Sequence, residues 1–148
     1  MLIIPMRGGY VVQSTVRVED SKSGRCLEAW VREVGEDLVV VVGGGQRPHV
    51  GCVVLAQPRT LTDRSRNHSA SCSVLTIPHH KEEPIARGIA ERLAEELGRV
   101  VVVTAGVHDD NLDADGVADY LRLGKELGEE LAAQLGGERP EKFSILNS

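Results

Sequence analysis

Residues 84–104 read PIARGIAERLAEELGRVVVVT, and inside them the hydrophobic pattern passes from a four-residue repeat to an unbroken apolar run. Ile85, Ile89, Leu93 and Leu97 recur at i, i+4, with Ala86 and Ala90 beside them, which predicts an amphipathic helix. Pro84 suits its first turn and Gly98 its C-terminal cap. The run at 100–104 then predicts a strand covered on both faces.

Downstream, a polar loop over 105–111 leads to a second helix, striped by Val117, Tyr120, Leu121, Leu127, Leu131 and Leu135 and stopped by Gly136 and Gly137. Upstream, the period is that of strands. Tyr10, Val12, Val16 and Val18 mark a first strand. Residues 26–34 alternate as a second, with turn chemistry at 21–24 between them. Residues 38–42 form an apolar third, ended by Gly43, Gly44 and Gly45. A fourth at 50–56 and a fifth at 71–77 are closed by Pro58 and Pro78. No helix fits between these five, so an antiparallel meander is expected.

The expected architecture is therefore α+β: a mostly antiparallel sheet of about six strands, in the order β-β-β-β-β-α-β-α, with two helices on one face. The all-apolar strands leave no polar face, so a second subunit is expected to cover the other side, giving a homodimer. The 148 residues fit one domain, 1–148, with an ordered core of about 10–137 and a polar tail at 138–148. A chain of this length buries roughly 68–70% of its unfolded surface, enough to fold without metal or disulfides.

Composition excludes several roles. The net charge of −5 and the absence of a basic run argue against a nucleic-acid surface. Four aromatics (Tyr10, Trp30, Tyr120 and Phe143) give no stacking platform. No apolar stretch approaches the roughly 20 residues of a membrane span, and the start lacks a signal-peptide core, so a cytoplasmic location is expected. Cys26, Cys52 and Cys72 follow no CxxC spacing and read as inert core thiols.

Four polar segments flank the strands. In GGGQRPH at 43–49, the three glycines allow close backbone approach to an anion, and Arg47 adds a phosphate donor; a glycine-rich hairpin explains the same residues without a ligand. His79, His80 and Lys81 precede a helix N-terminus, itself anion-receptive, while Glu82 and Glu83 fit ordinary first-turn electrostatics. Adjacent histidines on extended backbone point apart and do not readily share a metal. His108, Asp109, Asp110 and Asn111 suit a divalent cation or, equally, helix capping. The fourth segment, 59–69, carries Arg59, Arg64 and Arg66 and reads as a solvated loop or an anion clamp.

With these segments in hand, the sequence resembles the LpdD-like prenylated-flavin chaperones, accessory proteins of UbiD-type decarboxylases. The resemblance rests on VVVGGGQRPHVG at 40–51, AQP at 56–58, SVLTIPHHKE at 73–82 and VVTAGVH at 102–108, and spans about 11–135. It implies a fold like that of the small proteasome-assembly chaperones, in a dimer. It also implies binding of prenylated FMN (or FMN) and its delivery from a UbiX-type prenyltransferase to a UbiD-type decarboxylase, without catalysis. The residues expected around the cofactor are Gly43, Gly44, Gly45, Arg47, His49, His80 and Lys81; His79, His108 and Asp109 are the expected ligands of a divalent metal. Two other readings stay open: a metal-dependent enzyme on a small acidic substrate, and an assembly module that carries no ligand.

Overall fold

A computed structural model describes residues 2–6, 9–59 and 69–137. Arg64, Arg66 and His68 of the fourth polar segment, and the tail 138–148, lie outside the described residues. The elements run β1 (Leu2–Met6), β2 (Gly9–Glu19), β3 (Cys26–Val34), β4 (Asp37–Gly45), β5 (Cys52–Arg59), β6 (Ser69–Thr76), α1 (Glu83–Leu97), β7 (Val101–His108) and α2 (Ala114–Gly137).

The α+β class and the succession of elements from β2 onward are those the periodicity predicts. Three details differ. Residues 2–6 add a strand, so the sheet has seven, in the order β1-β2-β3-β4-β7-β5-β6. The expected five-strand meander is broken, because β7 lies between β4 and β5. It runs parallel to β4, pairing Leu38 with Val101 and Gly45 with His108, and antiparallel to β5, pairing Cys52 with Ala105. The helix α1 makes this possible: a parallel partner needs a crossover, and α1 supplies it. Finally, the three glycines do not end β4 but belong to it, with Gly43 facing Gly106 and Gly44 facing Val107 across the ladder.

The core lies between the sheet and the two helices. Strand alternation sends Leu27, Ala29 and Val31 of β3 and Leu38, Val40 and Val42 of β4 inward, all at 1% exposure or less. Against them sit Ile89 and Leu93 of α1 and Leu123, Leu127 and Leu131 of α2, equally buried. Helix α1 packs on β5, β6, β7 and α2, and α2 packs also on β2 and β3. Gly98, in the left-handed region at φ 64°, caps α1 with its N–H 3.0 Å from the Ala94 carbonyl. The opposite sheet face is open, and the register aligns Thr15, Trp30, Val41, Thr104, Val53 and Leu75 across it.

The β2–β3 turn hangs on one carboxylate. Asp20 Oδ1 accepts from the Ser23 N–H at 2.7 Å, the Ser23 hydroxyl at 3.0 Å and the Lys22 N–H at 3.0 Å. These donors, the Ser23 N–H first, pull the Asp20 carboxyl from 3.8 down to about 2. A carboxyl held low in the folded state stabilises above its unfolded pKa and loses that contribution as pH falls through the folded value. Urea midpoints should therefore fall more steeply between about pH 5 and about pH 2 for the parent than for Asp20→Ala. Parallel slopes would show that the turn does not hold this charge.

Candidate functional site

The inserted β7 decides where the polar segments go. Because β4 and β7 are parallel and β5 and β6 alternate beside them, the C-terminal ends of β4, β6 and β7 and the N-terminal end of β5 share one end of the sheet. Backbone hydrogen bonds tie these tips together. The Gly51 N–H donates to Ala105 O at 2.9 Å, the Ile77 N–H to Gly51 O at 2.9 Å, and the Arg47 N–H to His108 O at 3.2 Å. Close approach accounts for two of the glycines at these tips. A Cβ on Gly106 would stand 1.7 Å from the His49 carbonyl oxygen, and one on Gly51 would stand 2.7 Å from Glu82 Oε2. Side chains at either position would displace the residues that line the site.

Between these tips and the start of α2 lies a cleft of about 480 Å³. Its lining is mixed: the apolar residues are Ile85, Val107, Leu112, Val117 and Leu121, and the polar ones include His49, His79, His80, Lys81, Glu82 and His108. Val117 and Leu121, each 46% exposed, are apolar residues of α2 turned toward the cleft rather than the core.

His49, His80 and Glu82 converge, with one ligand atom of each lying within 4.8 Å of the others. Their rings and carboxylate are held by defined contacts. His49 Nδ1 lies 3.1 Å from its own segment's Arg47 carbonyl, and His80 Nδ1 lies 3.0 Å from the Pro78 carbonyl. A carbonyl only accepts, so each Nδ1 carries a hydrogen, and in the neutral ring each Nε2 keeps its lone pair. His79 occupies the left-handed region at φ 67°, which turns the chain so that His80 is the half-buried member of the pair and His79 the exposed one. Glu82 is 7% exposed; its Oε1 accepts weakly from the Val107 N–H at 3.4 Å, and its Oε2 is buried without a hydrogen-bond partner.

A second polar cluster abuts the first. Arg47 pairs with Asp110, and its Nη2 lies 2.6 Å from His108 Nε2. Hydrogen bonding by His108, reinforced by the Arg47 charge, holds the Asp110 carboxyl below its ordinary value. Asp109 is a structural tie: its Oδ1 accepts the Gln46 N–H at 2.9 Å and its Oδ2 the Tyr120 hydroxyl at 2.7 Å, with Arg25 Nε 3.8 Å away. Burial and the Asp109 hydrogen bond raise the Tyr120 phenol above its usual range. Ser23, Arg25, Gly45, Gln46 and Asp110 line an adjoining polar hollow of about 380 Å³.

The residues expected around a cofactor thus divide. His49, His80 and Lys81 line the cleft, and Gly45 lines the adjoining hollow. Gly43 and Gly44 are paired within the sheet, and Arg47 stands beside the cleft in its pair with Asp110. Of the expected metal ligands, His79, His108 and Asp109 all border the cleft, but the convergent set is His49, His80 and Glu82. Glu82 escaped the sequence reading because a glutamate before a helix satisfies simple electrostatics. The cysteines are free; burial raises the Cys52 and Cys72 thiols, which disfavours the reactive thiolate.

Comparison with known proteins identifies a family and, separately, a fold. Residues 21–136 match the family described as the prenylated flavin chaperone LpdD-like domain. Protein LpdD of Lactiplantibacillus plantarum is 24% identical over 127 residues, covering 82% of this chain and 90% of that protein. In fold, the chain resembles one in the crystal structure of a chaperone complex for yeast 20S proteasome assembly, with a TM-score of 0.56 and 21% identity over 85% of this chain and 98% of that one.

The Tyr120 hydroxyl anchors α2, and with it Val117 and Leu121 of the cleft lining, to the strand tips. Tyr120→Phe should cost about 1.5–3 kcal/mol in urea unfolding, the range for a hydrogen bond to a charged group. A change within about 0.5 kcal/mol would mean that water replaces the hydroxyl at no cost.

Proposed function

The chain belongs to the prenylated-flavin chaperone LpdD-like family, and we propose that it is a non-catalytic carrier that binds prenylated FMN and passes it to a UbiD-type decarboxylase. The observation that carries this reading is the mixed lining of the cleft. Its apolar residues Ile85, Val117 and Leu121 offer a seat to a flat ring system, and the Lys81 ammonium offers donors to an anionic tail. A carrier must hold its cargo without reacting with it. The tightly tied Asp109 and Asp110 carboxylates and the unreactive thiols suit that task better than a proton-transfer site.

Lys81 is the proposed phosphate partner, because it borders the cleft and forms no ion pair among the described residues. Arg47 joins only by exchanging its contact with Asp110 for one with the ligand. Gly45 would contribute backbone from the adjoining hollow. Anaerobic titration with reduced prenylated FMN should give saturable binding. Lys81→Ala should weaken it by about 1.5–3 kcal/mol, and Leu121→Glu by at least about tenfold. Absence of saturable binding to the parent protein would end the proposal. Binding by the parent with transfer to no UbiD-type decarboxylase would confine it to storage.

The carrier is proposed to work as a homodimer joined through the open sheet face. The support is the row that includes Trp30, Val41 and Leu75, which are 39%, 40% and 74% exposed. Light scattering should give twice the chain mass of 16.0 kDa, and Val41→Glu should shift it toward the monomer. A monomeric parent at working concentration would remove this element of the reading.

A further inference from the structure

We propose that His49, His80 and Glu82 form a binding site for one divalent first-row transition cation, coordinated by the two Nε2 atoms and the Glu82 carboxylate, with its open positions facing the cleft. The proposal does not depend on the flavin reading.

Three features of the cluster favour a cation between its members. First, His49 Nε2 lies 3.1 Å from Glu82 Oε1, yet it makes no hydrogen bond and is buried. The Nδ1 hydrogen of His49 is spent on the Arg47 carbonyl, so a neutral ring turns a lone pair toward a carboxylate oxygen. Two acceptors at that separation repel. A cation bound at the 2.0–2.2 Å typical of nitrogen and carboxylate ligands of zinc reconciles them without moving either far. Second, Glu82 Oε2 is buried with no partner, a costly state for an ionised oxygen. Third, His80 repeats the device of His49: its Nδ1 is directed to a carbonyl two residues upstream. Outer contacts of this kind fix the tautomer and aim Nε2 in metal-binding histidines.

The donor set narrows the ion. Two imidazoles and one carboxylate suit Zn²⁺ and its first-row neighbours rather than Ca²⁺ or Mg²⁺, which prefer all-oxygen shells. Three protein ligands leave at least one position, and the three residues all border the cleft, so that position opens onto it. The bland account is an imidazolium–carboxylate pair, in which a second proton on His49 replaces the metal. It satisfies Glu82 Oε1 but leaves Oε2 without a partner, and it gives His80 only a ring contact with His49, centroids 4.7 Å apart.

The test uses tag-free, chelator-treated full-length protein with Zn²⁺ in equilibrium dialysis and Co²⁺ in visible absorption, both without flavin. Close to one equivalent of Zn²⁺ should bind, and Co²⁺ should develop the absorption bands of an imidazole-ligated site. Glu82→Gln and His80→Ala should each lower affinity beyond the roughly 10–100-fold of an outer-contact change. Gly51→Ala should weaken it too, because its Cβ would stand 2.7 Å from Glu82 Oε2. His79→Ala should retain it. Circular dichroism checks that each variant is folded, and His80→Ala, on a turn, keeps the test open if Glu82→Gln does not fold. No stoichiometric binding to the folded parent would overturn the proposal, as would binding that survives both ligand substitutions but fails in His79→Ala. Loss of flavin binding with metal binding intact would count against the carrier reading alone.

Discussion

The parallel pairing of β4 with β7 is the constraint on which the molecule turns. It requires a crossover helix, and α1 is that helix. It splits what would otherwise be a simple meander into a four-stranded unit and a hairpin on either side of a central strand. It also dictates that segments more than 50 residues apart, at 45–51 and 105–110, meet at one end of the sheet. Without that register, the histidine-bearing tips have no common neighbourhood. The core then does ordinary work: aliphatic side chains from alternate strand positions meet one stripe of each helix, and the chain needs no aromatic centre.

The tips are held more by backbone than by side chain. Gly51 accepts from one segment and donates to another, and Gly106 lets the 49 carbonyl close on β7. This leaves the side chains of His49, His80, Lys81 and Glu82 free to face the cleft. The neighbouring Asp109 serves the other purpose, joining the β4–β5 connection to α2 through Gln46 and Tyr120. Two adjacent carboxyl-bearing segments thus divide the labour, one securing the frame and the other equipping the hollow.

Much of this was legible in the chain. The i, i+4 repeat of Ile85, Ile89, Leu93 and Leu97 fixes α1, and the apolar run after it marks β7 as a central strand, paired on both edges but covered by the helices on one face only. Local periodicity has no information about partner choice, however. Nothing in residues 38–42 or 52–56 says that a strand 50 residues later will separate them. The GGG run reads as a stop because glycine is poor in strands, but here the sheet needs close backbone contact, and β4 continues through it. The histidines were legible as a group and not as a geometry. Glu82 was hidden by a sufficient local explanation, and Val117 and Leu121 by belonging to a stripe that reads as core. The resemblance to the flavin chaperones, carried by the same GGGQRPH and PHHKE runs, agrees with the family that residues 21–136 match.

The insertion of β7 also has a history within each molecule's synthesis. Residues 9–45 complete three strands early, and the β5–β6 hairpin follows, but the strand that joins them spans Val101–His108. Until the ribosome releases it, β4 and β5 each present a bare edge of unpaired amides. Such edges recruit other strands. The chain is thus itself, for about half a minute or less at ordinary translation rates, in need of shelter.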